Sequence, residues 1–521
     1  KLYLLGKLAK ENSQDKIYEN IQDDFLKALM LDENLIKDNY IKNRIVSSLN
    51  KRIKESYIGK LLVRGNFQTM INDPYALCEY IFGLEVKGLL KEFEHYSEYW
   101  NNLGVKEVAA MRSPLTWQSE VNLLHLQNTQ KMNEWYKYIT SGIIFNIWGY
   151  DNMIHAGSDF DGDLICTTDN PVFIKCRYGG IPVVYEPKKA EKKEIIEEDL
   201  YKTDALSYNT PIGVITNIGT TLYEIQSQYN VGDPEFKEIK TRLKLCCKEQ
   251  SATIDSAKGI KCKPFPKHWT HWTNIEKCAT EESIKTANLN NSILVDKRPY
   301  FMRYLYSAYN KAYKAFLSDF DRYYHTTYNC SSTDLSRSHT AITDHSKEIE
   351  YYNQKNPLLM TSGTMNKICY HMESELSEVT KSYGKEYDKE IYNILINKDI
   401  DMSKKDLELM LESFKIYKNF KSNKCLGDSE FSTYQQFYKR LRNVCLENIN
   451  SNISYLANLA VEICYGSGKS RDFVWDCFGK GVIQNLLKKN NIAKVPCSNK
   501  DGNIKYLEET YSIEDFVIDN I

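Results

Sequence analysis

The chain has no stretch approaching 18 consecutive apolar residues, which excludes a transmembrane helix, and no membrane partner is expected. It has 14 cysteines but no C-x-x-C pair, and Cys246 and Cys247 are adjacent. A four-thiolate zinc site lacks its spacing, and a secreted disulfide scaffold does not suit this size. Free thiols in a reducing cytoplasm are expected. Charge of one sign is also missing: 68 Lys and Arg oppose 69 Asp and Glu, for a net charge of −1. Taken as a whole-chain average, this argues against a nucleic-acid binder, which usually carries a basic excess. The chain opens at Lys1 with no basic-then-apolar leader, so a fragment of a longer protein is expected.

What is present is a globular composition, 42% hydrophobic and 26% charged over 521 residues, enough for several structural units. Residues 1–56 read as a charged helical segment, with Leu26, Leu29, Met30, Ile45, Val46 and Leu49 at helical spacing. From Tyr57 to about residue 178, short β-prone runs alternate with Gly, Pro, Asn and Asp. They are Lys60–Arg64, Val105–Met111, Ile143–Trp148 and Leu164–Thr168, with a helical insertion near Glu92–Asn101. A charged linker is expected over 179–210, a helical region over 211–298 and a C-terminal helical region over 299–521, broken by a loop at Thr326–Thr343.

The most informative segment is Gly157-Ser158-Asp159-Phe160-Asp161-Gly162-Asp163. In extended chain the three aspartates, at i, i+2 and i+4, share one side. Three such carboxylates repel one another unless a cation sits among them, and their oxygens suit Mg²⁺ completed by water and phosphates. Gly162 permits a tight bend that turns Asp163 inward, and Phe160 points the other way as an anchor. An EF-hand needs Gly at position 6 and Glu at position 12, where counting from Asp159 gives Leu164 and Asn170. A polar inter-strand turn and an unrelated Mg²⁺ nuclease or phosphotransferase stay open on these residues alone.

The segment resembles the D-x-D-G-D metal loop of the double-psi β-barrel RNA polymerases, a superfamily holding multisubunit largest subunits, silencing-type RNA-dependent enzymes and single-chain phage enzymes. Three further stretches resemble it in order. Met111-Arg112-Ser113-Pro114 matches the R-x-P segment, Gly213–Asn217 a helix start after the barrel, and Ser251–Gly259 the A-V-D-x-x-K-x-G element, with Thr-Ile and Ala-Lys as departures. The resemblance covers about residues 60–265. It implies an α+β fold, a double-psi barrel over 57–178 with helical insertions followed by a large, mostly helical region. It also implies a template-directed RNA polymerase with Asp159, Asp161 and Asp163 as catalytic metal ligands and two Mg²⁺ ions. Arg112 inherits a substrate-binding role, suited to a guanidinium that forks two hydrogen bonds. Arg64 is a second substrate-binding candidate, with a surface strand Arg as the alternative. Lys258, Lys261 and Lys263 fall in a basic stretch from Lys237 to Lys267, with Lys240, Arg242, Lys244 and Lys248, that suits a phosphate backbone. The alternative there is a solvated helix face.

The implied partners are a nucleic-acid template, an RNA product and nucleoside triphosphates. The family's lysine-bearing first barrel is also implied, upstream in the same chain or in a separate subunit, because 1–56 is too short and helical to be it. A cytoplasmic setting in a prokaryote, phage or mobile element is expected. The reading from another class is a non-catalytic nucleic-acid-binding or scaffold protein that retains the barrel. Four signals are set aside. Gly466-Ser-Gly-Lys469-Ser470 lacks the first glycine of a P-loop and reads as a helix end. Gly479-Lys480-Gly481 reads as a turn, and His268-Trp-Thr-His271 lacks a ligand set. The aromatic run from Tyr300 to Phe316 reads as a packing face.

Overall fold

The computed structural model describes residues 21–155, 158–177, 182–183, 194, 196–208, 211–258, 263–328, 346–377, 379, 383, 388–422, 433–506 and 509–518. The chain divides into two units, one from Lys54 to Ser377 and one that joins its two ends, Lys1–Ile53 with Glu378–Ile521.

The first unit is built on a closed barrel of six strands in the order β1-β5-β2-β4-β3-β6. These are β1 (Asn66–Asn72), β2 (Glu94–Tyr96), β3 (Glu107–Met111), β4 (Asn122–Leu126), β5 (Gly142–Phe145) and β6 (Leu164–Thr168). Two pairs are parallel, β1 with β5 and β2 with β4, and the other four are antiparallel. Exchanging β1 with β4, β2 with β5 and β3 with β6 leaves this pairing map unchanged, so two interlocked halves close one barrel. This is the expected double-psi architecture, in an α+β chain.

Met70, Val108, Ala110, Leu124, Ile143, Phe145 and Ile165 fill the interior together with Trp100 from the helix Glu98–Asn102. Gln68, Thr167 and the Trp100 indole are paired inside it. Gln68 Nε2 donates to Ser97 Oγ at 2.7 Å and to the Gly142 carbonyl at 3.0 Å, and Trp100 Nε1 donates to Thr167 Oγ1 at 2.9 Å. Buried hydrogen bonds of this kind favour one arrangement of strands.

Two expected strands are corrected. Lys60–Arg64 is not a strand, because Leu61, Leu62 and Val63 face solvent and pairing begins only at Asn66, opposite Thr167. The run at 143–148 stops at Phe145, because Asn146 Oδ1 accepts from the Trp148 and Gly149 amides at 3.0 and 2.6 Å and turns the chain. Near Glu92–Asn101, a strand precedes the helix.

After the barrel, the helices Ile212–Gln226 and Pro234–Ile254 pack through Ile215, Leu222, Ile239 and Leu243, with Trp117 in the same cluster. Within the expected linker, Glu197–Tyr208 is helical. The aromatic run does form a packing face, with Tyr300, Phe301, Met302 and Tyr313 buried. Of Thr326–Thr343, residues 326–328 continue the helix Ser307–Tyr328, and 329–343 lie outside the described residues.

The second unit is helical around a core that includes Leu26, Ile41, Leu456, Phe473 and Phe478. Two readings there are corrected. Gly479 and Gly481 lie inside the helix Asp472–Lys489, where a Cβ would overlap Asp24 or the Ile453 carbonyl, so close packing requires glycine. The C-terminal end is not wholly helical: Ile492–Ser498, Ile504–Tyr506 and Glu509–Val517 form a three-stranded sheet. Its alternating Ala493, Val495 and Cys497 turn inward, as half-buried strands require. The segment Glu462–Gly466 is a π-helical turn, and Gly468 follows with φ 66°.

Candidate metal centre

The connection from β5 to β6 carries the aspartates. It leaves β5 through the Asn146 turn, passes a 3₁₀ turn at Asp151–Ile154, and enters β6 at Leu164. Its exit is tied to the barrel where the Met70 amide donates to the Asp163 carbonyl at 2.8 Å.

The aspartates converge, although the chain there is bent and not pleated. Gly162 has φ 124°, a conformation L side chains avoid. The bend brings Asp163 back, so that its Oδ2 accepts from the Asp159 amide at 3.0 Å, while Asp159 Oδ1 accepts from the Asp161 amide at 3.3 Å. One oxygen from each of the three carboxylates lies within 4.8 Å of the others, and among the described residues no other acidic, His or Cys group does so. Octahedral Mg²⁺ with bonds of about 2.1 Å sets neighbouring ligands about 3 Å apart, within reach of small side-chain rotations. Asp161 is exposed and the other two are half-buried, leaving room for water and phosphate oxygens. The donor set therefore fits a hard divalent ion.

Arg112, just beyond β3, is brought to the same place. Its guanidinium donates to Asp163 Oδ1 at 2.7 Å, with both side chains about one-fifth exposed or less. Arg64 forms a two-pronged ion pair with Asp169, just after β6, with Nε to Oδ1 at 3.0 Å. Phe160 meets Phe145 at 6.3 Å between ring centroids yet stays partly exposed, so it anchors the loop from one side only.

The basic stretch is divided. Lys237, Lys244 and Lys248 are exposed, and their spacing of seven and four residues sets them along one helix face. Lys244 Nζ sits 5.6 Å from the ring centre of Trp117, five residues beyond Arg112. Arg242 does not belong to this face. It is fully buried against the Trp269 ring and bonded to Glu238 and Asn290, so it is structural. Lys263 is exposed and its amide donates to Glu249 at 2.7 Å. Lys258 closes a 3₁₀ turn at Asp255–Lys258, and Lys261 lies outside the described residues.

Sequence reasoning missed the buried pair at the loop's entry. His95, on β2, and Asp151 form a buried side-chain pair through the His95 Nε2. They stand 56 positions apart, and no spacing signal links them. His155 is 1% exposed. Its pKa is pushed down to about 4 chiefly by burial, with Asp151 opposing and His95 and Arg112 reinforcing. Burial pushes the Cys246 and Cys247 thiols up to about 12, so neither is a ready nucleophile at neutral pH. His268 and His271 are exposed and, among the described residues, join no such ligand group.

No family model matches the chain. It is 24% identical over 479 residues to the DNA-directed RNA polymerase YonO of Bacillus phage SPbeta, covering 89% of this chain and 46% of that protein. Among solved structures it resembles the RNA dependent RNA polymerase QDE-1 from Thielavia terrestris, with a TM-score of 0.36 and 12% identity over 90% of this chain and 48% of that one. The chain thus spans about half the length of the relatives it matches.

Proposed function

We propose that the chain is the metal-binding half of a template-directed RNA polymerase, a nucleotidyltransferase that joins nucleoside triphosphates to an RNA 3′ end. The convergence of Asp159, Asp161 and Asp163 beside Arg112, on the β5–β6 connection of a closed six-stranded barrel, carries this reading. The similarity to a phage RNA polymerase supports it.

Asp159, Asp161 and Asp163 would hold Mg²⁺, which when bound makes a 3′-hydroxyl more nucleophilic and neutralises a leaving pyrophosphate. Arg112, released from Asp163 as positive charge enters the cluster, is placed to fork onto a ribose or phosphate edge. Lys237, Lys244 and Lys248 present a sequence-blind track for a nucleic-acid backbone, beside the segment that carries Arg112. Lys258, Lys261 and Lys263 extend that track in this reading. Arg64 is assigned to substrate only through its neighbourhood to β6, and its pairing with Asp169 also suits a purely structural role. The near-zero net charge does not oppose the reading, since positive charge is needed only along the channel.

A further, lysine-bearing barrel in the same protein or a second subunit would complete the grip on the triphosphate. The described residues 21–56 are helices and a 3₁₀ turn and contribute no strand to one. Among the described residues, no helix is long and apolar enough to cross a membrane.

The test is Mg²⁺-dependent extension of a primed template by the chain, alone and with such a barrel supplied. Template-directed products lost in Asp161→Ala support the proposal, and weak products from the chain alone are expected. Degradation of the template indicates a nuclease, and template binding without extension in either mixture indicates a scaffold.

A further inference from the structure

The loop that holds the aspartates is tied down at its exit by the Met70 amide. Its entry is tied down by groups that play no part in the chemistry above. His95 sits in the barrel wall, in register with Phe145 of β5 and Leu126 of β4. Its Nε2 meets Asp151 at the start of the 3₁₀ turn, and the two side chains are 1% and 3% exposed. Asn146 Nδ2 adds a hydrogen bond to Asp151 Oδ2 at 3.2 Å. The Phe145 ring stands edge-on to His95, with centroids 4.9 Å apart, and on its other contacts meets both His155 and Phe160 at 6.3 Å. A chain of ring contacts therefore runs from His95 on strand β2 through the buried Phe145 to Phe160, the residue between the first two aspartates.

We propose that the buried His95–Asp151 pair is a positioning device for the metal loop, clamping its entry to β2 so that the three carboxylates keep the separation a divalent ion requires. The inference rests on the metal-binding reading of the aspartates. A buried hydrogen-bonded pair adds little net stability, because desolvation offsets its attraction, but its geometry is specific. Groups that support a metal's ligands from outside commonly set affinity by tenfold or more, in part by orienting them.

The experiment measures Mn²⁺ affinity of the 521-residue chain by electron paramagnetic resonance, alongside melting temperature. The variants are His95→Gln, Asp151→Asn and Phe145→Leu, with Leu124→Ala in the barrel core as a control for lost stability. Electrostatics alone would lower cation affinity in Asp151→Asn and leave it unchanged or raised in His95→Gln. Positioning lowers it about tenfold in both and in Phe145→Leu, leaves the control within about twofold, and lets the swap His95→Asp with Asp151→His recover most of the loss. Opposite shifts in the two single variants, or a loss equalled by the control, overturn the inference. If a polar variant does not fold, Phe145→Leu and the charge swap decide. A wild-type chain that binds no Mn²⁺ refutes the metal reading itself, whereas wild-type binding that the variants share refutes only the clamp.

Discussion

Lowering the pH should weaken the barrel through His155, and the size of the effect follows from the structure. The ring is 1% exposed beneath the metal loop, and burial pushes its pKa from 6.5 down to about 4. In the unfolded chain the imidazole takes a proton near its ordinary pKa, whereas the folded protein resists it. Stability from this group is therefore complete above about pH 6.5 and is lost as pH falls toward 4. A gap of about 2.5 units at about 1.4 kcal/mol each gives about 3 kcal/mol in total, of which about 2 kcal/mol is already lost at pH 5. His155→Phe keeps an aromatic ring against Phe145 and cannot titrate. Urea unfolding of both proteins at pH 7.5, 6, 5 and 4.5, followed by tryptophan fluorescence, isolates His155 as the difference between them, since other groups titrate alike in each. The wild type should lose about 2 kcal/mol more than the variant between pH 7.5 and 5. A difference independent of pH, or one that favours the wild type as pH falls, refutes a neutral buried His155.

Glu224 is buried and accepts from Thr361 Oγ1 at 2.9 Å and from the Met365 and Asn366 amides at 3.1 Å, capping the helix Thr364–Glu375 from another element. Glu224→Ala should cost about 2–4 kcal/mol by stranding those donors. Gly363→Ala, whose Cβ would overlap the Glu224 carboxylate, should destabilise the wild type but cost clearly less in the Glu224→Ala background, read as melting temperatures in a double-mutant cycle. Replacing Lys237, Lys244 and Lys248 together by Gln should flatten the salt dependence of template binding by about two to three units of slope on logarithmic axes, measured by anisotropy titration. An unchanged slope removes the helix face from the interface. Arg112→Lys should raise the triphosphate KM about tenfold through loss of a forked hydrogen-bond pair, while Mn²⁺ affinity is kept. A loss of metal affinity without a KM change would make Arg112 a support for Asp163 alone.

The metal loop was legible because its chemistry is local: three carboxylates in five residues and a glycine that admits φ 124°. Strands β3 and β6 were legible as β-prone runs, whereas β1, β2 and β4 were not, since short barrel strands pair with distant partners and mix polar with apolar positions. Extended-chain alternation suggested that the aspartates would converge, but a bend accomplishes it. Arg242 looked like one more surface cation, because nothing in its neighbourhood announces Asn290 or Trp269. Gly479 and Gly481 looked like a turn because the constraint, a close approach of Asp24 and Ile453, lies far away in sequence. The His95–Asp151 pair and the grouping of the two chain ends in one unit are likewise products of tertiary contact.

The central claim, that Asp159, Asp161 and Asp163 form one divalent-ion site, is tested most directly by anomalous diffraction from crystals soaked in Mn²⁺. The account predicts an anomalous peak bonded to oxygens of all three side chains at about 2.2 Å, absent from crystals of Asp161→Ala. Mn²⁺ bound elsewhere, with none at the three carboxylates, would contradict it.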